Sequence, residues 1–183
     1  MITLGIDEVG RGCLAGPLVV GAVVLTQPIK GLKDSKLLSK VQRQRLVPEI
    51  KLLSEGYALG WVSASEIDNL GLTKATELAI ERALVEIKVD YDEIVIDGNY
   101  NFLKDNPKSR SLIKADNLVP AVSAASVLAK CARDQYMREQ ARIFPEYGFD
   151  KHVGYGTAYH IEKLQLLGLS SLHRRTFKVG LLI

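Results

Sequence analysis

Residues 2–12, Ile-Thr-Leu-Gly-Ile-Asp-Glu-Val-Gly-Arg-Gly, decide how this chain is read. Ile2, Leu4 and Ile6 alternate with small or polar residues over 2–7, the period of a strand with one apolar face. Asp7 and Glu8 end that strand, and Gly10, Gly12 and Gly16-Pro17 break it. Pro17 to Thr26 then reads as a second strand, Val-rich and suited to burial. Further out, Ser39-Lys40-Val41-Gln42 has capping-box spacing and predicts a helix to about Leu53. Tyr57 to Val62 alternates as a third strand, Ser63 to Glu66 is a second capping box, and Thr73 caps a helix to about Lys88. Glu93 to Asp97 is a short apolar strand ending in Asp-Gly-Asn, and Leu112-Ile113 begins another. Pro120 opens a helix to about Arg142 that must stop before Pro145. Thr157 to Leu167, closed by Gly168, is the last helix. Strands early and helices late, with a strand–helix–strand crossing, make the class α/β.

The 183 residues suit one domain, 1–183, and 47% hydrophobic with 25% charged residues excludes a disordered or fibrous chain. The longest apolar run, Leu18 to Leu25, falls far short of the roughly 18–20 residues of a membrane span. The N-terminus has neither the basic region nor the cleavage site of a signal peptide. Cys13 and Cys131 lie far apart in no metal-ligand pattern, which argues against a disulfide framework and a structural zinc site. The expectation is a cytoplasmic monomer with no membrane contact. Its net charge of +3 hides a bias: Lys30 to Lys51 carries seven basic residues against Asp34 and Glu49, and acidic residues gather in 55–93. One basic face suited to a phosphate backbone would result, although solvated helix faces give the same pattern.

Four carboxylates stand in apolar or glycine-rich surroundings: Asp7, Glu8, Asp97 after Ile94-Val95-Ile96, and Asp116 after Ile113-Lys114-Ala115. An Asp at the carboxyl end of a buried strand lies where α/β sheets bind ligands, and adjacent strands would bring Asp7 and Asp97 together. Clustered carboxylates raise one another's pKa unless a cation joins them, and an all-oxygen set suits Mg²⁺ or Mn²⁺. Neighbours on a strand face opposite ways, so Asp7 and Glu8 share one site only if the strand ends, bulges or twists at Val9-Gly10. Taken singly, Asp7 and Asp97 are explained by turns. Four together favour a site.

Gly10-Arg11-Gly12 offers backbone groups and a fixed charge beside these carboxylates, as a tight turn also would. Ser126 and Lys130 lie four apart on one helix face and could meet a phosphate, while the small residues of 123–129 allow close packing on the sheet. His152, His160 and His173 lack metal-ligand spacing and are read as surface or phosphate contacts. No G-x-x-x-x-G-K-[ST], G-x-G-x-x-G or G-x-S-x-G is present, so those nucleotide-binding and hydrolase chemistries have no support.

Ile6 to Gly12, Asp34-Ser35-Lys36, Ile96 to Asn99, Lys114-Ala115-Asp116, Ser123 to Ser126, Ala129-Lys130 with Arg133-Asp134, and Gly154 to Thr157 together resemble type 2 ribonuclease H, in order, from about Ile6 to Phe177. The resemblance implies a ribonuclease H-like fold: a central mixed sheet flanked by helices, with a short helical C-terminal part at about 146–183. It implies endonucleolytic cleavage of RNA in RNA–DNA hybrids and 5′ to single ribonucleotides in duplex DNA. The family's acidic positions fall on Asp7, Glu8, Asp97 and Asp116, not on Asp134, which is expected to be structural near Arg133. Its ribose-sensing motif falls on Gly10, Arg11 and Gly12, its sugar-packing tyrosine on Tyr155, and a phosphate-contacting lysine on Lys36. Two Mg²⁺ or Mn²⁺ ions about 4 Å apart would activate water and stabilise the leaving 3′ oxygen, giving 3′-hydroxyl and 5′-phosphate ends. The 2′-hydroxyl is the only handle that separates RNA from DNA there, so weak base preference is expected. Gly156 stands where the family usually has proline or alanine, and the chain stops soon after Phe177-Lys178, which gives no support to a tail-borne clamp contact. A junction resolvase or integrase core would share the carboxylates but leave Gly10-Arg11-Gly12 and Tyr155 unexplained. A non-enzymatic binding module would not need the carboxylates.

Overall fold

Strand β1 (Thr3–Val9) is the hub of the sheet in this computed structural model, which describes residues 1–33 and 35–177. Asp34 and Lys178 lie outside the described residues. On one side β1 pairs antiparallel with β2 (Leu18–Leu25), which pairs antiparallel with β3 (Gly56–Val62). On the other it runs parallel to β4 (Glu93–Asp97), itself parallel to β5 (Ser109–Leu112). The order is β3-β2-β1-β4-β5, a mixed sheet as expected. β2 is buried along its whole length, which is why its sequence is a continuous apolar run rather than an alternation.

The period of two assigns the faces. Leu4, Ile6, Ile94 and Ile96 pack with Ala75, Ala79, Ile80 and Ala83 of α3 (Leu72–Glu86), assisted by Ile67 of the short α2 (Ala64–Leu70). The opposite face is covered by α1 (Lys40–Leu53) and α5 (Pro120–Ile143), whose Leu46, Ile50, Ala121, Ala124, Ala125 and Leu128 form the second core. There the small residues of α5 let it lie almost on the strands. A Cβ on Gly5 would fall 2.2 Å from the Ala121 carbonyl carbon, and one on Gly21 would fall 2.3 Å from Ala125 O. Both capping boxes, Ser39 with Gln42 and Ser63 with Glu66, are formed.

Two local expectations fail. Thr73 does not cap α3; the helix starts at Leu72 after Gly71, whose φ of 76° turns the chain directly out of α2. Leu112 ends β5 rather than beginning it, because the polar stretch Ser109 to Ser111 owes its pairing to the edge of β4, not to apolar pattern. After α5, two short helical pieces, α6 (Phe149–His152) and α7 (Ala158–Leu167), with Thr157 capping the latter, fold back over the end of α5 around Phe149, Tyr147 and Leu164. Among the described residues no helix is long and apolar enough to cross a membrane.

Candidate active site

Asp7 and Asp97 stand one step beyond the registered pair Ile6 and Ile96 of two adjacent parallel strands. Gly5 and Val95, two residues earlier, face α5, so both Asp side chains face it too. Between β5 and α5 the chain turns through Lys114, left-handed at φ 59°, into the single turn α4 (Ala115–Leu118), which carries Asp116. Ser123 Oγ donates to Asp116 O at 2.7 Å, fixing α4 against α5, and the Ala115 amide donates to Asp97 Oδ1 at 2.7 Å. As a result one carboxylate oxygen each from Asp7, Asp97 and Asp116 lies within 4.8 Å of the other two.

Asp7 is buried; its Oδ1 accepts the Glu8 amide at 2.8 Å, and the Ser126 hydroxyl lies near its carboxylate. Burial pushes its pKa up to about 8, against the lowering by Ser126, with the charges of Glu8 and Asp97 adding to the rise and Lys36 opposing it. A carboxyl group so disfavoured as an anion beside two more carboxylates fits a hard cation as the missing partner. The donor set is oxygen throughout, which suits a divalent ion of the Mg²⁺ or Mn²⁺ type.

β1 stays regular through Val9, so Glu8 leaves the strand on the face opposite Asp7. It is not one of the three grouped carboxylates. Burial raises its pKa, Arg11 holds it down through a 3.3 Å ion pair, and the charge of Asp97 raises it, so it lies within electrostatic reach of the group. Arg11 also lies over the Phe102 ring, 5.6 Å from its centroid.

The remaining expected residues distribute around this centre. Lys36 Nζ stands 3.6 Å from Asp116 Oδ2 on a largely exposed side chain. Ser126 is buried, with Oγ 2.8 Å from Ser35 Oγ, and lies near the Asp7 carboxylate. Lys130 pairs with Asp134 at 2.9 Å and lies 5.6 Å from the centre of the Tyr155 ring. Asp134 thus partners Lys130 rather than Arg133, which turns inward. Tyr155 is exposed at 40%, with Cys13 beside its phenol. Gly156 has ordinary φ, and a Cβ there would touch the Leu14 side chain at 3.0 Å.

The histidine reading is overturned: His152, His160 and His173 are all buried. Ser170 N–H donates to His173 Nδ1 at 2.9 Å, leaving Nε2–H to donate to His160 Nε2 at 3.0 Å, and His160 Nδ1–H to reach the Tyr155 carbonyl at 2.8 Å. His152 ends α6, His160 lies in α7 and His173 lies beyond both, so no single element's period in the sequence signals that they meet. Arg174 is equally silent in sequence, since one Arg of an Arg-Arg pair looks like a surface residue, and the Asp34-Ser35-Lys36 stretch gives no sign that Ser35 meets Ser126.

A mixed five-stranded sheet with this carboxylate group at the carboxyl ends of its inner strands β1 and β4 defines a ribonuclease H-like, divalent-metal-dependent hydrolase. The family model for ribonuclease HII matches residues 4–179. Ribonuclease HII of Prochlorococcus marinus is 46% identical over 179 residues, covering 94% of each chain. Ribonuclease H2 of Pyrococcus horikoshii superposes with a TM-score of 0.78 at 26% identity, over 97% of this chain and 94% of that one. Ribonuclease HII of Archaeoglobus fulgidus, in its PCNA complex, shares the fold at a TM-score of 0.84 and 24% identity, over 98% and 96% of the two chains. The chain belongs to the ribonuclease HII family and is a metal-dependent endoribonuclease of RNA–DNA hybrids.

Proposed function

We propose that this enzyme also nicks duplex DNA on the 5′ side of a single embedded ribonucleotide, leaving a 3′-hydroxyl and a 5′-phosphate, with two Mg²⁺ or Mn²⁺ ions as cofactors. The observation that carries the reading is the group Asp7, Asp97 and Asp116, each giving one oxygen within 4.8 Å of the others, at the end of the strand that runs into Gly10-Arg11-Gly12. Asp7, Asp97 and Asp116 hold the ions, with Glu8 completing the set from the opposite face of β1. Bound there, the ions supply Lewis acidity to the attacking water and the leaving 3′ oxygen. Backbone groups of residues 10–12 read the 2′-hydroxyl, which DNA lacks. Tyr155 packs on the sugar of the following deoxynucleotide, and Lys36 and Lys130 bring positive charge to the backbone phosphates. The enzyme works as a cytoplasmic monomer in ribonucleotide excision repair and DNA replication, without an obligate protein partner.

The test is a labelled DNA duplex with one ribonucleotide, incubated with Mg²⁺, Mn²⁺ or chelator. An ion-dependent nick immediately 5′ to the ribonucleotide is expected. Cleavage of long hybrids alone would remove residues 10–12 and Tyr155 from their roles while keeping the carboxylate centre.

A further inference from the structure

Two arginines are the largest side chains in the interior: Arg133 is 0% exposed and Arg174 2%. Neither makes an ion pair with a carboxylate among the described residues. Burying a guanidinium without a counter-ion is costly unless its donors are all met. Here backbone carbonyls meet them, and nearly all come from one short segment. Arg174 donates to Gly10 O at 2.6 Å, Arg11 O at 2.8 Å and Gly16 O at 2.9 Å. From the other side Arg133 donates to Ala15 O at 3.0 Å, Pro17 O at 2.8 Å and Val153 O at 2.7 Å.

The backbone is shaped to receive them. Gly10 and Gly16, both at φ 87°, and Gly154, at φ 90°, each leave empty the space a Cβ would take, and Arg133 lies 2.2–3.3 Å from those three positions. Val153 is left-handed at φ 45°, an uncommon conformation for a β-branched residue, and its carbonyl is the one Arg133 grips. These peptides are trans, so each N–H points opposite to the carbonyl that shares its plane. With the carbonyls of Gly10 and Arg11 turned to Arg174, the N–H groups of Arg11 and Gly12 point away from it.

We propose that Arg174 and Arg133 are positioning residues for substrate recognition: Arg174 sets the peptide planes of residues 10–12, and Arg133 locks the adjoining residues 15 and 17 to the segment bearing Tyr155. The proposal rests on the reading of residues 10–12 as the ribose sensor. Cleavage of the single-ribonucleotide duplex by the unaltered enzyme is therefore measured first and judges that reading separately. Arg174→Lys keeps a positive charge but replaces a planar fork with a point donor that cannot span three carbonyls. The expected result is a folded protein that binds Mn²⁺ as the parent does, with kcat on that duplex down about tenfold to a hundredfold and KM within about threefold, since a misplaced sensor spoils alignment more than binding. If Arg174→Lys does not fold, Arg133→Lys, which loosens the tie between residues 15 and 17 and the segment leading to Tyr155, is read in the same way. Unchanged kcat overturns the proposal. So does a loss of Mn²⁺ binding in step with cleavage, which would make these arginines supports of the fold alone.

Discussion

Asp97 Oδ1 accepts the Ala115 amide at 2.7 Å, so the carboxylate that ends β4 also fixes the turn that delivers Asp116. One side chain therefore has two separable jobs. Asp97→Asn keeps an oxygen acceptor for the buried Ala115 but loses the anion. Its activity is expected to fall at least about a hundredfold with stability nearly unchanged. Asp97→Ala should lose as much activity and a further ~1–3 kcal/mol of stability, because the amide is left unpaired. Cleavage assays and urea unfolding of both variants check this, and equal stability of the two would show the hydrogen bond to be dispensable.

Asp7 links metal binding to pH. Its folded pKa of about 8 lies above the unfolded value of 3.8. In the metal-free protein its contribution to stability is thus complete below about pH 4 and is lost as pH rises toward 8. Asp7→Asn removes this loss, and the metal-free variant is expected to be more stable than the parent at pH 8 by an amount on the order of a few kcal/mol, while being inactive. Mg²⁺ or Mn²⁺ should stabilise the parent and release a proton near pH 7, since a ligating carboxylate must ionise. Calorimetric titrations in buffers of different ionisation enthalpy measure that proton, and its absence would mean Asp7 is already charged.

What the sequence disclosed was what period and burial control. Alternation and strand-end position pointed to Asp7 and Asp97, and the crossover connection then made β1 and β4 neighbours. The opposite facing of Glu8 was equally visible in the period of two, and the regular pairing of β1 keeps it. Nothing comparable marks Arg133 and Arg174. Their partners are backbone carbonyls, which every residue has, so no side-chain pattern can announce them. The three histidines escaped for a related reason: they come from α6, α7 and the chain beyond, and no one element's period joins them. Ser126 stood out, but its burial did not, because helical spacing tells which face a residue shares, not how deep that face lies.

The His160 and His173 pair predicts acid sensitivity. Burial holds both near pKa 4, with His152 also lowered by burial. Folded values below the unfolded 6.5 mean that stability is complete above about pH 6.5 and is lost as pH falls toward 4. Unfolding midpoints in urea are expected to decline between pH 6.5 and 4.5, before most carboxylates protonate. His173→Asn should be less stable at neutral pH, having lost its bond to His160, yet show a shallower decline. A slope as steep as the parent's would place the acid response elsewhere.

Tyr155 has its carbonyl bound to His160, its phenol beside Cys13 and Lys130 5.6 Å from its ring centre. Truncation to Ala should therefore remove the ring without unfolding the loop, and cleavage at an RNA–DNA junction should fall more than cleavage of uniform hybrids. Tyr155→Phe keeps the ring and loses only the hydroxyl, so it should stay within about threefold of the parent, no more than one modest hydrogen bond. Gly156 is the adjoining hinge. With its ordinary φ and only the end of the Leu14 side chain in the way, Gly156→Ala should fold and gain up to about 1 kcal/mol by restricting the unfolded chain. By stiffening the segment it should also sharpen the junction preference. The ratio of junction to uniform-hybrid cleavage, compared across the three variants, reads all of this together; a ratio that Tyr155→Ala leaves unchanged would detach the tyrosine from substrate choice.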